Sequence, residues 1–305
     1  MKYVFFALIS FFSSVIGCIC GIGGGVIIKP VADAFGIFSV STASFMSGCI
    51  VLSMTAYSIG KAKAAGELRL EKGISAYIVI GATVGGIVGK ELFSIIKAGA
   101  SNPEFVGEVQ SAVLLLLTVA TILYTVEKKK IRSLHVTSPT ACVLIGLMTG
   151  LLSAFLGIGG GPINLVVLFY FFSMDAKTAA QNSLYIIMVS QIASLIASFI
   201  TRSIPEFPAV LLVVSIACGV LGGMVGRKIN KKIDNGMVEK LFLGLLCVIV
   251  AVCGFNMYRS SHRDGGIMIE HGAFDIFPGG EMKLADTGFS GNVGYVGFIH
   301  PTACQ

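Results

Sequence analysis

The sequence predicts an all-α fold, a polytopic bundle of transmembrane helices built from two inverted repeats, each carrying a helix pair broken by glycine. Three observations predict it. First, only 12% of the 305 residues are charged and 55% are hydrophobic, with a mean hydropathy of +0.88. Soluble domains carry about 25% charged residues, so there is too little polar side chain here to cover a soluble globule. Disorder, which needs low hydrophobicity and high net charge, is excluded by the same composition. Second, the charge-free stretches 3–28, 34–60, 73–89, 109–126, 136–174, 178–201, 207–226 and 241–258 mostly match the ~20 residues of one membrane span. Third, the chain repeats itself.

That duplication is visible in three blocks. Gly21-Ile22-Gly23-Gly24-Gly25 recurs 136 positions later as Gly157-Ile158-Gly159-Gly160-Gly161, and Thr42-Ala43 with Ser47 recurs as Thr178-Ala179 with Ser183. One position further out of step, Gly85-Gly86-Ile87-Val88-Gly89-Lys90 recurs as Gly222-Gly223-Met224-Val225-Gly226-Arg227. Repetition at fixed order and spacing marks a duplicated structural unit. Residues 1–127 form the first repeat, 128–138 a basic linker, 139–257 the second repeat and 258–305 a polar tail.

In the first repeat the helices are expected at 3–20, about 26–38, 41–60, 73–96 and 106–126. In the second they are expected at 139–156, about 162–174, 177–200, 207–227 and 237–257. Glycine breaks separate the first two helices of each repeat, and the second helix is too short to span unaided. The opening segment, with Lys2 and Val15-Ile16-Gly17-Cys18, imitates a signal peptide with a lipoprotein-type cleavage site. Apolar segments continue after it, and its end recurs in mid-chain, so it reads as a resident helix. The eight cysteines lack paired CxxC spacing and read as small packing residues.

Orientation follows from lysine and arginine. Segments 61–73, 127–138 and 227–236 hold four each, whereas 97–105 and 201–206 hold one each. The positive excess marks the cytoplasmic side. All three basic segments fall inside only if each repeat crosses five times. An odd number inverts the second repeat and places the N-terminus outside, with the tail there too.

Inverted repeats with discontinuous helices are the architecture of secondary transporters, with substrate near the midplane. Irregular backbone inside a bilayer is tolerated only where protein buries it or it lines a cavity. Glycines permit positive φ and close ligand approach, and the helix beginning after each break presents free N–H groups to an anion. The candidate substrate-binding residues are therefore Gly21, Gly23, Gly24, Gly25, Gly157, Gly159, Gly160 and Gly161. Polar residues nearby extend the set to Lys29, Thr42, Ser47, Asn164, Gln181, Asn182 and Ser183. Lys29 is an intramembrane cation: it complements an anion, or pairs with Asp33, or snorkels to a surface. The competing role of the glycine breaks is helix packing, which is the expected role of the GxxxG patterns Gly81/Gly85/Gly89, Gly219/Gly223 and Gly222/Gly226.

No catalytic set stands out. The four histidines lie in the linker and tail, and neither a P-loop nor HExxH is present, so an enzyme, a metal site and ATP drive are not expected. No cofactor and no nucleic acid is implied by the net charge of +6, which reports the cytoplasmic segments.

The doubled GIGGG, Pro30, the Thr-Ala-x-x-x-Ser blocks and the GGxxG-basic blocks together resemble the TauE/SafE sulfite-exporter family over about 1–257. The resemblance implies a carrier of sulfur anions, sulfite or organosulfonates, in the bacterial cytoplasmic membrane. It carries over to Gly21, Gly23, Gly24, Gly25, Pro30, Gly157, Gly159, Gly160 and Gly161. Two departures, Lys29 and the interruption Pro162-Ile163-Asn164, bear on which substrate is carried. The expected partners are a small anion, the lipid bilayer and a coupling proton or ion, with room for a homo-oligomer. The alternative is a membrane assembly or accessory protein whose glycine motifs serve packing alone. The tail 258–305 resembles nothing in the family.

Overall fold

A computed structural model describes residues 2–71, 73–99, 103–128, 130, 133–156, 160–202 and 204–263. The chain divides at His262 into two units. The first is all-helical among its described residues. In chain order the helices are α1 (Lys2–Cys20), α2 (Gly25–Ala34), α3 (Val40–Ala64), α4 (Ile74–Gly99), α5 (Pro103–Glu127), α6 (Pro139–Leu156), α7 (Gly161–Phe172), α8 (Ala176–Ile200), α9 (Ala209–Lys232) and α10 (Asn235–Arg263). Seven of them are long and apolar enough to cross a membrane, whereas α7 is a shorter apolar helix.

Several long helices overrun their expected ends, whereas the short second helices, expected to about 38 and 174, stop at Ala34 and Phe172. The third helix was expected to stop at 60, the ninth at 227 and the tenth at 257; they run to Ala64, Lys232 and Arg263. Charge marks where the bilayer stops, not where the backbone stops being helical, and Lys and Arg are good helix formers. Lys61, Lys63, Lys231 and Lys232 thus sit in last helical turns, where cations complement the exposed carbonyls. Starts are set by capping. Ser39 accepts from the Thr42 N–H before α3, and Asp175, 136 positions on, accepts from the Thr178 N–H before α8. The threonines of the repeated block are therefore third-position helix residues held by an N-cap.

The two repeats exchange helices. The most extensive contacts join α4 to α6 and α1 to α9, so the first helix of each repeat packs on the fourth of the other. Glycine makes this approach possible. A Cβ at Gly81, Gly85 or Gly89 would strike the backbone of Val143, Leu147 or Leu151 in α6, and one at Gly222 or Gly226 would strike Phe11 or Val15 in α1. From α6, Gly146 and Gly150 meet Ile78 and Ala82 in the same way. Without a hydrophobic force between helices in lipid, such backbone contact supplies the packing energy.

These pairings also fix direction. Residue numbers rise together along α4 and α6, along α1 and α9, and along α3 and α9, where Gly219 meets Ile50 and Gly223 meets Met54. Along α3 and α8 they run oppositely, with Gly48 facing Gln191 and Met54 sharing a cluster with Leu184. The pair α1 and α2 is a hairpin. Gly17 abuts Gly23 at its tip, and Phe5 meets Phe35 at its open end, ring centroids 4.8 Å apart. All these directions are those of a chain that reverses at every helix.

Candidate functional site

The first glycine break packs between α3 and α8. At the first, Gly21 and Gly23 adopt φ of 79° and 67°, left-handed values that a side chain resists. A Cβ at Gly21 would collide with Ala180 of α8, and one at Gly23 would lie 3.1 Å from Val51 of α3 and 3.6 Å from Ile187 of α8. Gly24 packs on the backbone of Ser13 and Ser14, and Gly25 begins α2. At the second break, Gly160 is the left-handed N-cap of α7, with φ 79°. Pro162 follows in the first turn, where its missing N–H costs nothing. Gly157 and Gly159 lie outside the described residues. The two breaks touch: a Cβ at Gly161 would strike Ile22.

Each helix that runs into a break is capped from another helix. The Asn230 amide of α9 donates to Ile19 O near the end of α1 at 2.7 Å. At the end of α6 the caps are stronger. Lys29 Nζ donates to Leu156 O at 3.0 Å and to Gln110 Oε1 at 3.4 Å, and Gln110 Nε2 donates to Phe155 O. Lys29 is 6% exposed, which rules out snorkelling to a surface. The side chain of Asp33 lies outside the described set. A cation at a helix C-terminus is favoured by the macrodipole, so the buried charge of α2 steadies the backbone that enters the second break.

The other predicted residues divide by location. Thr42 Oγ1 donates to Glu206 O at 3.0 Å. Gln181 Oε1 accepts from the Arg69 N–H at 2.8 Å, while Asn182 bonds Ser75 and donates to Arg69 O at 3.0 Å and Thr178 O at 2.8 Å. These three side chains tie helix starts to neighbouring segments. Asn164 is buried beside Gly160. Ser47 and Ser183 are buried one turn deeper on α3 and α8. Ser183 is fully buried, and its hydroxyl has no hydrogen-bond partner. It lies between Ala180 and Ile187, the two α8 residues that face the first break.

The repeated basic residues, noted in the sequence only as marks of duplication, prove to be equivalent clamps. Arg227 of α9 donates to Ser58 O in α3 at 2.9 Å. Lys90 of α4 donates to Ser194 O in α8 at 3.4 Å and also meets the Ser198 hydroxyl. Ser58 and Ser194 are themselves 136 positions apart. Arg227 and Lys231 additionally pair with the two carboxylate oxygens of Glu67, each at 2.6 Å. Gln110, Asn230 and Glu67 escaped the sequence reading because nothing local distinguishes them; the equivalence of Lys90 and Arg227 was the one available signal for the clamps. Among the described residues no group of His, Cys, Asp and Glu could hold a metal ion.

The family model described as "Sulfite exporter TauE/SafE" matches residues 6–253, which span both repeats. The "Probable membrane transporter protein MamO" of Magnetospirillum gryphiswaldense is 25% identical over 116 residues, which cover 36% of this chain and 18% of that protein. The chain thus spans less than a fifth of that relative's length. Together with seven membrane-length helices, the family match makes the chain a multi-pass membrane protein.

Proposed function

The chain belongs to the sulfite exporter TauE/SafE family, and from that premise we propose that it is a secondary carrier moving a small anion, sulfite or an organosulfonate, across the cytoplasmic membrane. The observation that carries the reading is the contact of the two breaks at Ile22 and Gly161, close to a buried cation and a buried hydroxyl without a partner. Helix starts at Gly25 and Gly161 supply N–H groups left unpaired by helix geometry, and Ser183 supplies a free donor. A sulfonate or sulfite oxygen accepts such bonds at little reorganisation cost.

Alternating access is the proposed mechanism. The exchanged pairs α1/α9 and α4/α6 behave as two rigid bodies, and α2 and α7 with their breaks form the contact between them. The opposed course of α3 and α8 supports the inverted relation of residues 1–127 and 139–257. Gathering Lys61, Lys63, Lys128, Arg227 and Lys231 toward the cytoplasm supports an external N-terminus. A proton or ion gradient is the proposed drive.

Uptake and efflux of radiolabelled sulfite and sulfoacetate in proteoliposomes test the reading. Saturable flux is expected, with Ser183→Ala lowering it about tenfold through loss of one bond to a charged ligand while the melting temperature holds. Absence of flux for every sulfur anion sinks the proposal, and Gly24→Ala and Gly160→Ala that then cost only stability leave packing as the role of the breaks.

A further inference from the structure

Helices α4 and α8 pack side by side, and three of their hydrogen bonds fix the register. Ser75 pairs with Asn182, and Lys90 with Ser194 and Ser198, separations of 107, 104 and 108 positions. Thr83 therefore lies opposite 187–191, which includes Ser190. Both hydroxyls, Thr83 Oγ1 and Ser190 Oγ, are buried and have no hydrogen-bond partner, as is true of Ser183 two turns before Ser190. Buried hydroxyls usually find a partner, so three without one along a single interface are donors available to a polar ligand; Ser14 and Ser215 are the others among the described residues. Gly86, on the same face of α4 as Thr83 and Lys90 by helical spacing, has nothing within 4 Å of where a Cβ would stand. Space and unpaired donors coincide.

The equivalent interface of the other half is built differently. Ser190 corresponds to Met54, Asn182 to Met46 and Gly86 to Gly223. Met46, Ile50 and Met54 are each fully buried. Met54 Cγ lies 2.9 Å from the Cβ position of Gly223. Methionine fills there what is left open beside Gly86. From these facts we infer that a small oxyanion travels along the α4/α8 interface alone. It leaves the first glycine break at Ser183, takes hydrogen bonds from Thr83 and Ser190 beside Gly86, and reaches Lys90 at the far end. The α3/α9 interface is the methionine-filled copy of the same surface, with Ser215 on α9 still lacking a partner. Lys90, exchanging its bonds to Ser194 O and the Ser198 hydroxyl, attracts the anion at the mouth.

This route rests on the carrier reading, and its test separates the two. Thr83→Val and Ser190→Ala remove donors without leaving any buried partner unpaired, so folding is preserved. Each lowers sulfite flux about tenfold, and the double variant more, because a hydrogen bond to an anion is lost. Ser215→Ala is the control. Its hydroxyl is equally buried and unpartnered but stands on α9, and its removal leaves flux unchanged. Wild-type flux with an unaffected Thr83→Val/Ser190→Ala double variant overturns the route while keeping the carrier. If wild type carries no sulfur anion, the carrier reading falls, and the route is judged by labelling instead. In a background without the native cysteines, Ser190→Cys reacts with an anionic methanethiosulfonate at least tenfold faster than Met54→Cys. Equal rates overturn the route.

Discussion

The α4/α8 and α3/α9 interfaces occupy matching positions of the two sequence repeats and differ in what fills them. Both keep a basic residue bonded to a helix carbonyl, Lys90 on Ser194 and Arg227 on Ser58. Between the clamp and the helix starts, Thr83, Asn182 and Ser190 of one interface stand where the other has Val220, Met46 and Met54, while both keep a buried serine, Ser183 and Ser47. Backbone geometry is thus constrained on both sides, whereas side-chain volume and hydrogen bonding are free to specialise. In lipid, packing rests on dispersion between close surfaces. A methionine-filled interface holds the bundle together, which releases its counterpart to hold polar groups.

Exchanging the fillings breaks this comparison most severely. Met54→Ser removes a fully buried side chain and costs about 2–5 kcal/mol of stability, the range for emptying a large apolar site. Thermal unfolding in detergent reads this as a marked fall in melting temperature. Ser190→Met is expected to leave the protein folded, since the space beside Gly86 accepts the side chain, and to abolish flux. If Ser190→Met instead unfolds the protein, no open space exists there and the two interfaces are equally packed.

Adjacent glycines of α4 give the next largest effect. Gly85→Ala drives a Cβ into Leu147 O of α6, and overpacking of this kind costs about 1–3 kcal/mol. Gly86→Ala meets nothing and gains up to about 1 kcal/mol from helix propensity. In the other half, Gly223→Ala comes within 2.9 Å of Met54 Cγ and 3.4 Å of Met54 O and falls between them. A melting series in the order Gly86→Ala, Gly223→Ala, Gly85→Ala is expected.

Much of the fold was legible because composition and repetition act over whole segments. Charge-free stretches located the long helices, and the doubled GIGGG located both breaks. Several readings stopped where pairing across the chain decides the outcome. The candidates Gln181 and Asn182 are engaged by segment 69–75, and Thr42 by Glu206 O. Thr83 and Ser190 carry no signal in the sequence, because a hydroxyl in an apolar helix usually bonds its own backbone four residues back, as Thr118 and Thr121 do. Only the register of two helices separates those cases.

Lys29 marks a further asymmetry, because the equivalent position in α7 is the apolar Leu165. Lys29→Met leaves Leu156 O and Gln110 Oε1 without this donor, at about 1–3 kcal/mol. Its distinctive readout is local: hydrogen exchange rises at the end of α6 and spares the end of α1, which Asn230 caps. Equal exchange at both ends contradicts the capping role.

The smallest effect belongs to the one clamp that carries a carboxylate. Hydrogen bonding from Lys231, opposed by desolvation and supported by the charges of Lys231 and Arg227, holds the Glu67 carboxyl below its ordinary value. A depressed folded value contributes stability that is present above the unfolded value and is lost as pH falls through the folded one. Glu67→Gln is therefore slightly less stable than wild type at neutral pH, and the difference closes below about pH 4.5 as Glu67 itself takes up a proton. Because the group is exposed, salt screening shrinks the difference as well. The Lys90 clamp bonds a carbonyl and a hydroxyl, so the stability difference between wild type and Lys90→Met shows no such acid transition. Melting curves of both variants from pH 3 to 8 compare the two clamps directly. An acid-insensitive Glu67→Gln difference means that Arg227 holds Ser58 without help from the carboxylate, and that the two ends of the bundle are clamped alike.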